Sequence, residues 1–332
     1  MDALLLREYM KLEMVQMDEP GIGADDVLVR VRACGICGSD VHGLDGSTGR
    51  RIPPLVMGHE AAGVVERTGA NVRDLSPGDR VTFDSTIYCG NCAFCARGDI
   101  NLCDNRMVLG VSPGEYRRHG AFAEFVAVPR RIVYRLPDSL TFEQAALIEA
   151  ASVAVHAVNL TPITLGDRAV VIGSGMIGVL VVQALRAAGC AHVIVVDPVE
   201  SRLKMAIDSG ATETRTSAAG VTNADVVIEC VGANESVQAA IGCARKGASV
   251  TLVGNVSPKV EVPLQAVVSR QLRLQGSCAS NGEYPAVIEL MARGVIRVDS
   301  LISAVAPLKE GARWFDRLYR HEGNLMKVIL QP

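Results

Sequence analysis

Residues 170–180 read VVIGSGMIGVL, which places a G-x-G-x-x-G pattern between an apolar strand and a helix. Gly173 allows a tight turn, Gly175 lets a phosphate approach the backbone, and Gly178 lets the helix pack closely on the strand. The N–H groups at the start of such a helix and its partial positive charge favour a phosphate group. In this strand–turn–helix setting, the pattern predicts a binding site for a dinucleotide.

A carboxylate follows the next predicted strand, since Asp197 ends the run HVIVVD. An acid in that place accepts hydrogen bonds from both hydroxyls of the adenosine ribose and repels a 2′-phosphate, so it favours NAD over NADP. Arg202 lies nearby in the sequence and could meet a phosphate instead. The residues expected at the cofactor are Gly173, Gly175, Met176, Ile177, Gly178, Asp197 and Arg202.

Outward from this stretch, the two halves of the 332-residue chain differ in pattern. After about residue 150, apolar strands alternate with helical segments, which predicts a parallel, doubly wound sheet covered on both faces. The predicted strands are 169–172, 192–197, 224–232 and 248–254, and predicted helices include 200–210 and 234–247. Residues 1–150 carry short strand-like runs between glycine and proline turns, which predict a β-rich barrel or sandwich.

The composition indicates a packed globular protein, with 49% hydrophobic residues, 21% charged residues and a net charge of −3. No basic face for nucleic acid is evident. The run 169–189 is long enough for a membrane span, but its glycines, Arg186 and the apolar run that follows favour strand, turn and helix. The N-terminal segment lacks the features of a signal peptide, so we expect a cytoplasmic protein without a membrane segment.

Four cysteines stand close together in CGNCAFCARGDINLC, residues 89–103, with the spacing C-x2-C-x2-C-x7-C. Four thiolates complete a tetrahedral Zn²⁺ site and leave no open position, which predicts a structural rather than a catalytic metal. The ligands would be Cys89, Cys92, Cys95 and Cys103. An iron–sulfur cluster and thiol redox chemistry are the alternatives, but nothing else in the sequence indicates electron transfer.

A catalytic metal needs an open position, and two other segments offer ligands: ACGICGSDVHG at 33–43 and MGHEAAG at 57–63. Cys34 and Cys37 have the spacing of a thioredoxin-type redox pair. That interpretation requires a helix directly after the pair, and Gly35 and Gly38 argue against one. We therefore do not expect a redox pair here.

These motifs occur together and in order: C-G-I-C-G-S-D-V-H, G-H-E, the four-cysteine segment, L-I-E-A at 147–150 and the glycine loop. In this combination the chain resembles the zinc-dependent medium-chain dehydrogenases, and among them the branch of sorbitol, galactitol-phosphate, sugar-acid and threonine dehydrogenases. The resemblance runs nearly end to end. It implies an α/β protein with a GroES-like, β-rich catalytic domain, residues 1–153 and 296–332, and a Rossmann NAD-binding domain, residues 154–295.

The resemblance also implies a catalytic zinc held by Cys37, His59 and a carboxylate, for which Glu60 and Glu149 both qualify. Alcohol dehydrogenases proper have a cysteine where Glu149 stands, so this glutamate points to the polyol branch. The four-cysteine segment matches the structural zinc of the family. We therefore expect two Zn²⁺ ions per chain. Cys34 matches no ligand position and is expected to pack in the core.

The resemblance also implies roles for three polar residues near these ligands. Asp40 would hydrogen-bond His59 and fix its ring. Ser39 would contact the substrate hydroxyl, and His42 would continue the relay past the nicotinamide ribose. The alternative for His42 is an ordinary polar surface residue. His156 is expected to pack rather than to bind a metal.

The implied reaction is the reversible oxidation of a secondary alcohol of a polyol, sugar alcohol or sugar acid to a ketone, with NAD as hydride acceptor, in a homodimer or homotetramer. The alternatives are a threonine-type or other alcohol dehydrogenase of the same fold and, from another class, a non-catalytic NAD-binding sensor. Arg117, Arg118 and His119 could meet a phosphate or carboxylate of the substrate, although solvated charges are the usual case. Cys278-Ala279 stands where the sorbitol branch often has Arg-Tyr.

Overall fold

The computed structural model describes residues 1–111 and 118–332. The strands in the described residues are β1 Asp2–Glu8, β2 Lys11–Gln16, β3 Asp26–Gly35, β4 Leu55–Val56, β5 Glu60–Thr68, β6 Arg80–Phe83, β7 Thr86–Ile87, β8 Met107–Val108, β9 Phe125–Pro129, β10 Val133–Arg135, β11 Arg168–Ile172, β12 His192–Val196, β13 Glu213–Arg215, β14 Ala224–Glu229, β15 Ala244–Leu252, β16 Arg273–Gly276, β17 Ile302–Pro307 and β18 Lys327–Gln331. The α-helices are α1 Gly38–Gly43, α2 Ala93–Arg97, α3 Phe142–Ala145, α4 Ile148–Leu160, α5 Met176–Ala187, α6 Glu200–Asp208, α7 Asn234–Cys243, α8 Leu264–Ser269, α9 Tyr284–Ala292 and α10 Gly311–Tyr319.

The chain divides into two compact units that the backbone enters more than once. The first unit comprises Met1–Glu149, Tyr284–Ala292 and Val298–Pro332. The second comprises Ala150–Glu283 and Arg293–Arg297. The division on the N-terminal side falls inside α4, directly after Glu149.

A mixed sheet organises the first unit, with the order β10-β6-β5-β3-β18-β17 and β9 also paired to β3. β3 supplies its centre because its apolar side chains, among them Val27 and Val29, are fully buried. The C-terminal strand β18 lies antiparallel to the end of β3, where Leu330 pairs with Cys34. This pairing brings Lys327, the first residue of β18, to the segment that follows β3, where its ammonium group donates to the Ile36 carbonyl at 3.1 Å.

The second unit contains a wholly parallel sheet with the order β13-β12-β11-β14-β15-β16. Counted from its first strand this is 3-2-1-4-5-6, the order of a doubly wound Rossmann sheet. The order reverses between β11 and β14, and ligands of such sheets bind at the carboxyl ends of the strands at this point. Gly173 follows β11 there.

The structure also differs from the sequence prediction in its details. The helix predicted over 234–247 ends at Cys243, and Ala244 already begins β15. As predicted, the apolar run 169–189 is divided between a strand, β11, and a helix, α5. Among the helices of residues 1–111 and 118–332, none has the length and apolar character needed to cross a membrane.

The expectation that no helix follows Cys37 is wrong, because α1 begins at the next residue. Cys37 caps this short helix: its sulfur accepts the Ser39 N–H at 3.4 Å, and Asp40 Oδ2 accepts the Cys37 N–H at 3.4 Å. Such reciprocal capping satisfies N–H groups that a helix start otherwise leaves unpaired. It offsets the unfavourable glycines at both ends of the helix.

Candidate active site and metal centres

Three potential metal ligands meet in the first unit. The Sγ of Cys37, a ring nitrogen of His59 and a carboxylate oxygen of Glu60 lie within 4.8 Å of one another. Cys37 is placed by the N-terminus of α1, and Glu60 is the first residue of β5. A thiolate, an imidazole and a carboxylate are donors that Zn²⁺ accepts together, so the set fits a zinc ion.

Glu60 is fixed by its neighbours. Gly35 pairs with it across β3 and β5, and a Cβ at Gly35 would stand 2.5 Å from Glu60 Oε2. The buried Lys327 forms an ion pair with the same oxygen. Burial lowers the pKa of Lys327, but attraction by Glu60 and Cys37 outweighs this effect and raises it above its usual value. A permanent cation therefore stands beside this carboxylate.

Asp40 is fully buried behind the ring of His59. Its Oδ1 lies 3.4 Å from His59 Nδ1 and accepts a hydrogen bond from Arg51 Nη2 at 2.8 Å. Burial alone would raise the pKa of Asp40, but His59 and Arg51 hold it far below its usual range. Burial alone would lower the pKa of His59, but Asp40 and Cys37 raise it well above its usual value. The anionic Asp40 thus faces Nδ1 and leaves Nε2 for a metal.

Ser39 lies beside the ligands on α1. Its hydroxyl donates to Cys37 Sγ at 3.1 Å and accepts from Arg51 Nη2 at 2.9 Å. His42 is exposed on the same helix, and its carbonyl accepts the Ser47 hydroxyl at 3.3 Å. The structure therefore brings Ser39 to the cluster and leaves the side chain of His42 at the surface.

Glu149 is outside the group of ligand atoms that lie within 4.8 Å of one another. Its Oε1 accepts a hydrogen bond from Ser85 Oγ at 3.5 Å. Loss of solvation raises the pKa of Glu149 to about 7; Glu60 adds to this effect and His59 opposes it. Of the two candidate acids, Glu60 is the one that lies with the other ligands.

The four-cysteine segment folds around α2. Cys92 caps this helix by accepting the Cys95 N–H, and Cys103 Sγ accepts the Cys89 N–H at 3.2 Å. The four sulfurs lie within 4.8 Å of one another, with Cys92 and Cys95 3.5 Å apart and Cys89 and Cys95 4.0 Å apart. A tetrahedral zinc with Zn–S bonds of about 2.3 Å separates its sulfurs by about 3.8 Å. The segment fits a closed metal site, and no disulfide joins its four cysteines.

The glycine loop has the shape of a phosphate cradle. Gly173 has a φ of +92°, and a Cβ on Gly178 would stand 1.9 Å from the Gly173 carbonyl oxygen. A Cβ on Gly175 would meet no atom within 4 Å. Gly175 caps α5 without a side-chain hydrogen bond, so the first N–H groups, from Met176 and Ile177, are available. This open space and these donors fit a dinucleotide pyrophosphate.

Asp197 lies at the end of β12 next to this loop. Its Oδ2 accepts the Ser174 N–H at 2.7 Å and its Oδ1 accepts the Val199 N–H at 2.9 Å. The Nη1 of Arg202 lies 4.0 Å from Asp197 Oδ2. The two backbone donors hold the carboxylate in place beside the glycine loop.

Two family models match the chain. The alcohol dehydrogenase GroES-like domain matches residues 23–138, and the zinc-binding dehydrogenase model matches residues 177–293, so together they cover more than half of the chain. The chain belongs to the zinc-binding alcohol dehydrogenase family. It is an oxidoreductase that acts on CH–OH groups, as predicted from the sequence.

Individual members of the family extend this result. The chain is 32% identical to L-idonate 5-dehydrogenase of Vitis vinifera, over 86% of this chain and 81% of that protein. It is 34% identical to sorbitol dehydrogenase of Macaca fascicularis, over 97% and 92%. A structure from Sinorhizobium meliloti 1021, assigned as a zinc-binding dehydrogenase and bound to NADP, has a TM-score of 0.92 at 34% identity and covers 100% of this chain and 99% of its own.

These similarities confirm the predicted resemblance to the polyol and sugar-acid branch of the family and the predicted α/β fold with GroES-like and Rossmann parts. The roles of the individual site residues stay predictions. Cys34 is fully buried, and His156 is buried with its Nδ1 2.8 Å from Glu283 Oε1.

The sequence alone did not identify two buried cations near Cys37, His59 and Glu60. They are Arg51 and Lys327. Neither lies in a recognisable motif, and their acidic partners are 11 and 267 residues away in sequence. Of the three candidate substrate-binding residues, Arg117 lies outside the described residues. Arg118 donates to the Ala127 carbonyl at 3.2 Å, and His119 Nδ1 accepts the Val56 N–H at 3.1 Å.

Proposed function

We propose that the protein reversibly oxidises a secondary alcohol of a polyol, sugar alcohol or sugar acid to a ketone, with NAD as hydride acceptor. The observation that carries the proposal is the cluster of Cys37, His59 and Glu60 with the Ser39 hydroxyl beside it. Similarity to sorbitol and L-idonate 5-dehydrogenases supports the substrate class.

The proposal assigns one zinc to Cys37, His59 and Glu60, with Glu149 as the nearby second acid, and another to Cys89, Cys92, Cys95 and Cys103. When bound, the first zinc supplies a Lewis acid that polarises the alcohol, and the nicotinamide accepts a hydride. Ser39 Oγ accepts the hydroxyl proton of the substrate, and His42 carries it onward to solvent. Asp40 holds the His59 ring through Nδ1.

The cofactor is proposed to be NAD, bound by the loop from Gly173 to Gly178 and by Asp197. A carboxylate held by two backbone N–H groups suits a ribose diol better than a 2′-phosphate. Asp197→Ala should therefore raise KM for NAD about tenfold and lower the preference over NADP, measured by initial rates with each cofactor. If wild-type enzyme uses NADP better than NAD, the assignment to Asp197 is wrong and Arg202 is the recognising residue.

The decisive experiment is an NADH-formation assay with polyols, sugar alcohols, sugar acids, L-threonine and simple alcohols. We expect turnover with a polyol or sugar-derived substrate, and its loss in Cys37→Ser. Turnover with threonine or simple alcohols alone would favour the alternative dehydrogenases. NAD binding without any turnover would favour the sensor. Full activity in Cys37→Ser with its zinc retained would overturn the ligand assignment.

We further propose a cytoplasmic homodimer or homotetramer, with a catalytic domain of residues 1–153 and 296–332 and a cofactor domain of residues 154–295. β16 ends the parallel sheet, and its side chains are largely exposed. Nearby in the sequence, α8 exposes Leu264 and Val268 by 68% and 70%. An exposed strand edge with apolar neighbours favours self-association. Light scattering of the purified protein measures the oligomer, and a monomer would contradict this part.

A further inference from the structure

Arg51 is a buried cation that none of the predicted motifs contains. It follows Arg50 in the segment GRRIPP, yet its side chain is only 2% exposed, whereas Arg50 is exposed. Its Nη2 donates to Asp40 Oδ1 at 2.8 Å and to Ser39 Oγ at 2.9 Å. A single guanidinium nitrogen thus holds two polar residues that flank the Cys37–His59–Glu60 cluster.

Stability alone does not account for this arrangement. Burying a guanidinium group is costly, and an ion pair such as Arg51–Asp40 offsets that cost only when the remaining donors of the guanidinium are satisfied. Arg51 Nε is buried without a hydrogen-bond partner. Room for the side chain depends on Gly43, since a Cβ there would stand 2.6 Å from Arg51 Cδ. An apolar residue would fill this space at lower cost.

The contact with Ser39 limits what its hydroxyl can do. A serine hydroxyl has one donor and two acceptor positions. Arg51 occupies one acceptor position, and the hydroxyl proton points to Cys37 Sγ, 3.1 Å away. One acceptor position is left, which is what a substrate hydroxyl needs in order to hand its proton to Ser39.

We propose that Arg51 is a positioning residue for alcohol oxidation, which fixes the orientation of the Ser39 hydroxyl and of the Asp40 carboxylate behind His59. The inference rests on the proposed role of Ser39 in proton transfer. Arg51 acts through Ser39 on proton transfer and through Asp40 on the metal-binding ring of His59.

A double-mutant cycle tests the contact with Ser39 in the zinc-loaded enzyme. Arg51→Met should lower kcat about 10- to 100-fold with KM changed by less than about threefold, because the contact matters for the chemical step rather than for substrate binding. Arg51→Lys keeps the charge and should recover part of kcat. Combined with Ser39→Ala, Arg51→Met should lower kcat by much less than it does alone, since the contact between the two side chains is already gone and only the action through Asp40 is left. Arg50→Met is the matched control and should keep the wild-type kcat.

The outcomes separate the two proposals. An unchanged kcat in Ser39→Ala would overturn the relay role of Ser39 and, with it, the action of Arg51 through Ser39. A loss in Ser39→Ala to which Arg51→Met adds its full cost would leave the relay standing and overturn the action of Arg51 through Ser39.

Zinc release provides a readout that does not depend on turnover. Because Arg51 holds Asp40 against His59, Arg51→Met should release one of its zinc ions to a chelator about tenfold faster, while Arg50→Met and Ser39→Ala release it at the wild-type rate. Equal release from Arg51→Met and wild type would overturn the Asp40 part.

Gly43→Ala tests the same inference with every polar side chain retained. The added methyl group displaces the stem of Arg51, so this variant should reproduce both the kcat loss and the faster zinc release. It also serves if Arg51→Met fails to fold, because it leaves Asp40 with its counter-charge. Wild-type kcat and zinc release in Gly43→Ala would contradict the proposal.

Discussion

Two buried acidic side chains near Cys37 and His59 each have a basic partner. Asp40 is paired with Arg51 and Glu60 with Lys327, and all four side chains are at most 3% exposed. Burying a charge without a partner is costly. The two pairs offset that cost for acids that lie close to Cys37 and His59.

Exchanging each candidate acid for its amide should identify the direct zinc ligand. Glu60 lies with Cys37 and His59, whereas Glu149 does not, so Glu60→Gln should weaken the affinity of the catalytic site for zinc by about 100-fold or more and Glu149→Gln by about tenfold or less. Competition with a zinc chelator measures both.

The control for this comparison removes the charge imbalance. Glu60→Gln leaves Lys327 without its counter-ion, so the double variant Glu60→Gln with Lys327→Met shows whether zinc loss persists when neither charge is buried. A larger loss in Glu149→Gln than in Glu60→Gln would reverse the assignment.

The family resemblance implied the candidate ligands but not their counter-ions, for a physical reason. Cys37, His59 and Glu60 stand in the short motifs that carry the resemblance. Arg51 and Lys327 reach their partners only through the fold, and nothing local distinguishes them from solvated charges. The choice between Glu60 and Glu149 depends on distances that the sequence alone does not contain.

At the scale of elements, two glycines in the turn from β11 into α5 differ in the space around them. A Cβ at Gly178 would overlap the Gly173 carbonyl, whereas one at Gly175 would meet no protein atom. Gly178→Ala should therefore destabilise the protein by about 1–3 kcal/mol, while Gly175→Ala should fold with a wild-type melting temperature and bind NAD at least about tenfold more weakly. Calorimetric NAD titration and thermal melts of both variants check this.

The two variants control each other, because they place the same methyl group three residues apart. Unimpaired NAD binding by a folded Gly175→Ala protein would show that the space above Gly175 does not receive the pyrophosphate. A stable Gly178→Ala protein would show instead that the contact between helix and strand adjusts easily.

The contact between α4 and the segment before α9 should make stability depend on pH. Burial would raise the pKa of Glu283, but its hydrogen bonds with His156 and Asn281 lower it below the usual 4.5. Because the folded-state pKa is depressed, the stabilisation is present above about pH 4.5 and is lost as the pH falls through the lowered value. Glu283→Gln should cost about 1–2 kcal/mol near neutral pH and progressively less below pH 4.5.

Melting temperatures of wild type and Glu283→Gln across this pH range provide the measurement. Glu235→Gln, an exposed acid in the first turn of α7, is the control and should track the wild type. A difference between wild type and Glu283→Gln that grows as the solution is acidified would contradict the argument.

Elements were predictable where hydrophobic period and turn residues agree. β12 and β14 lie within their predicted limits and β11 begins one residue before its own, because their apolar runs end at glycine or acidic residues. α1 was missed because capping by Cys37 and Asp40 outweighs the glycines. The end of α7 was overestimated because Ala244 and its neighbours have helical propensity but pair with β14 instead.

At the scale of the molecule, the first compact unit is assembled from three separate stretches of chain. Periodicity does not reveal such long-range joining: the pairing of β18 with β3 connects residues near 330 with residues near 34. The fate of the C-terminal segment was therefore implied only by resemblance to a family, whereas the parallel sheet of the second unit followed from its local pattern.

A chain with two metal centres of different chemistry should contain two zinc ions. A substitution at one centre should remove only the ion bound there. The four-sulfur site is closed, so its loss should affect stability more than catalysis, whereas the cluster at Cys37 should affect catalysis directly. Cys103→Ser should retain about one zinc per chain, melt at a lower temperature and be cleaved faster by protease within residues 89–103. Cys37→Ser should also retain about one zinc but lose turnover with a near-wild-type melt. Cys190→Ala, a buried thiol of the second unit, is the control and should retain both ions. Elemental analysis of fully loaded protein provides the count, and one zinc or less in the wild type would refute the two-centre assignment.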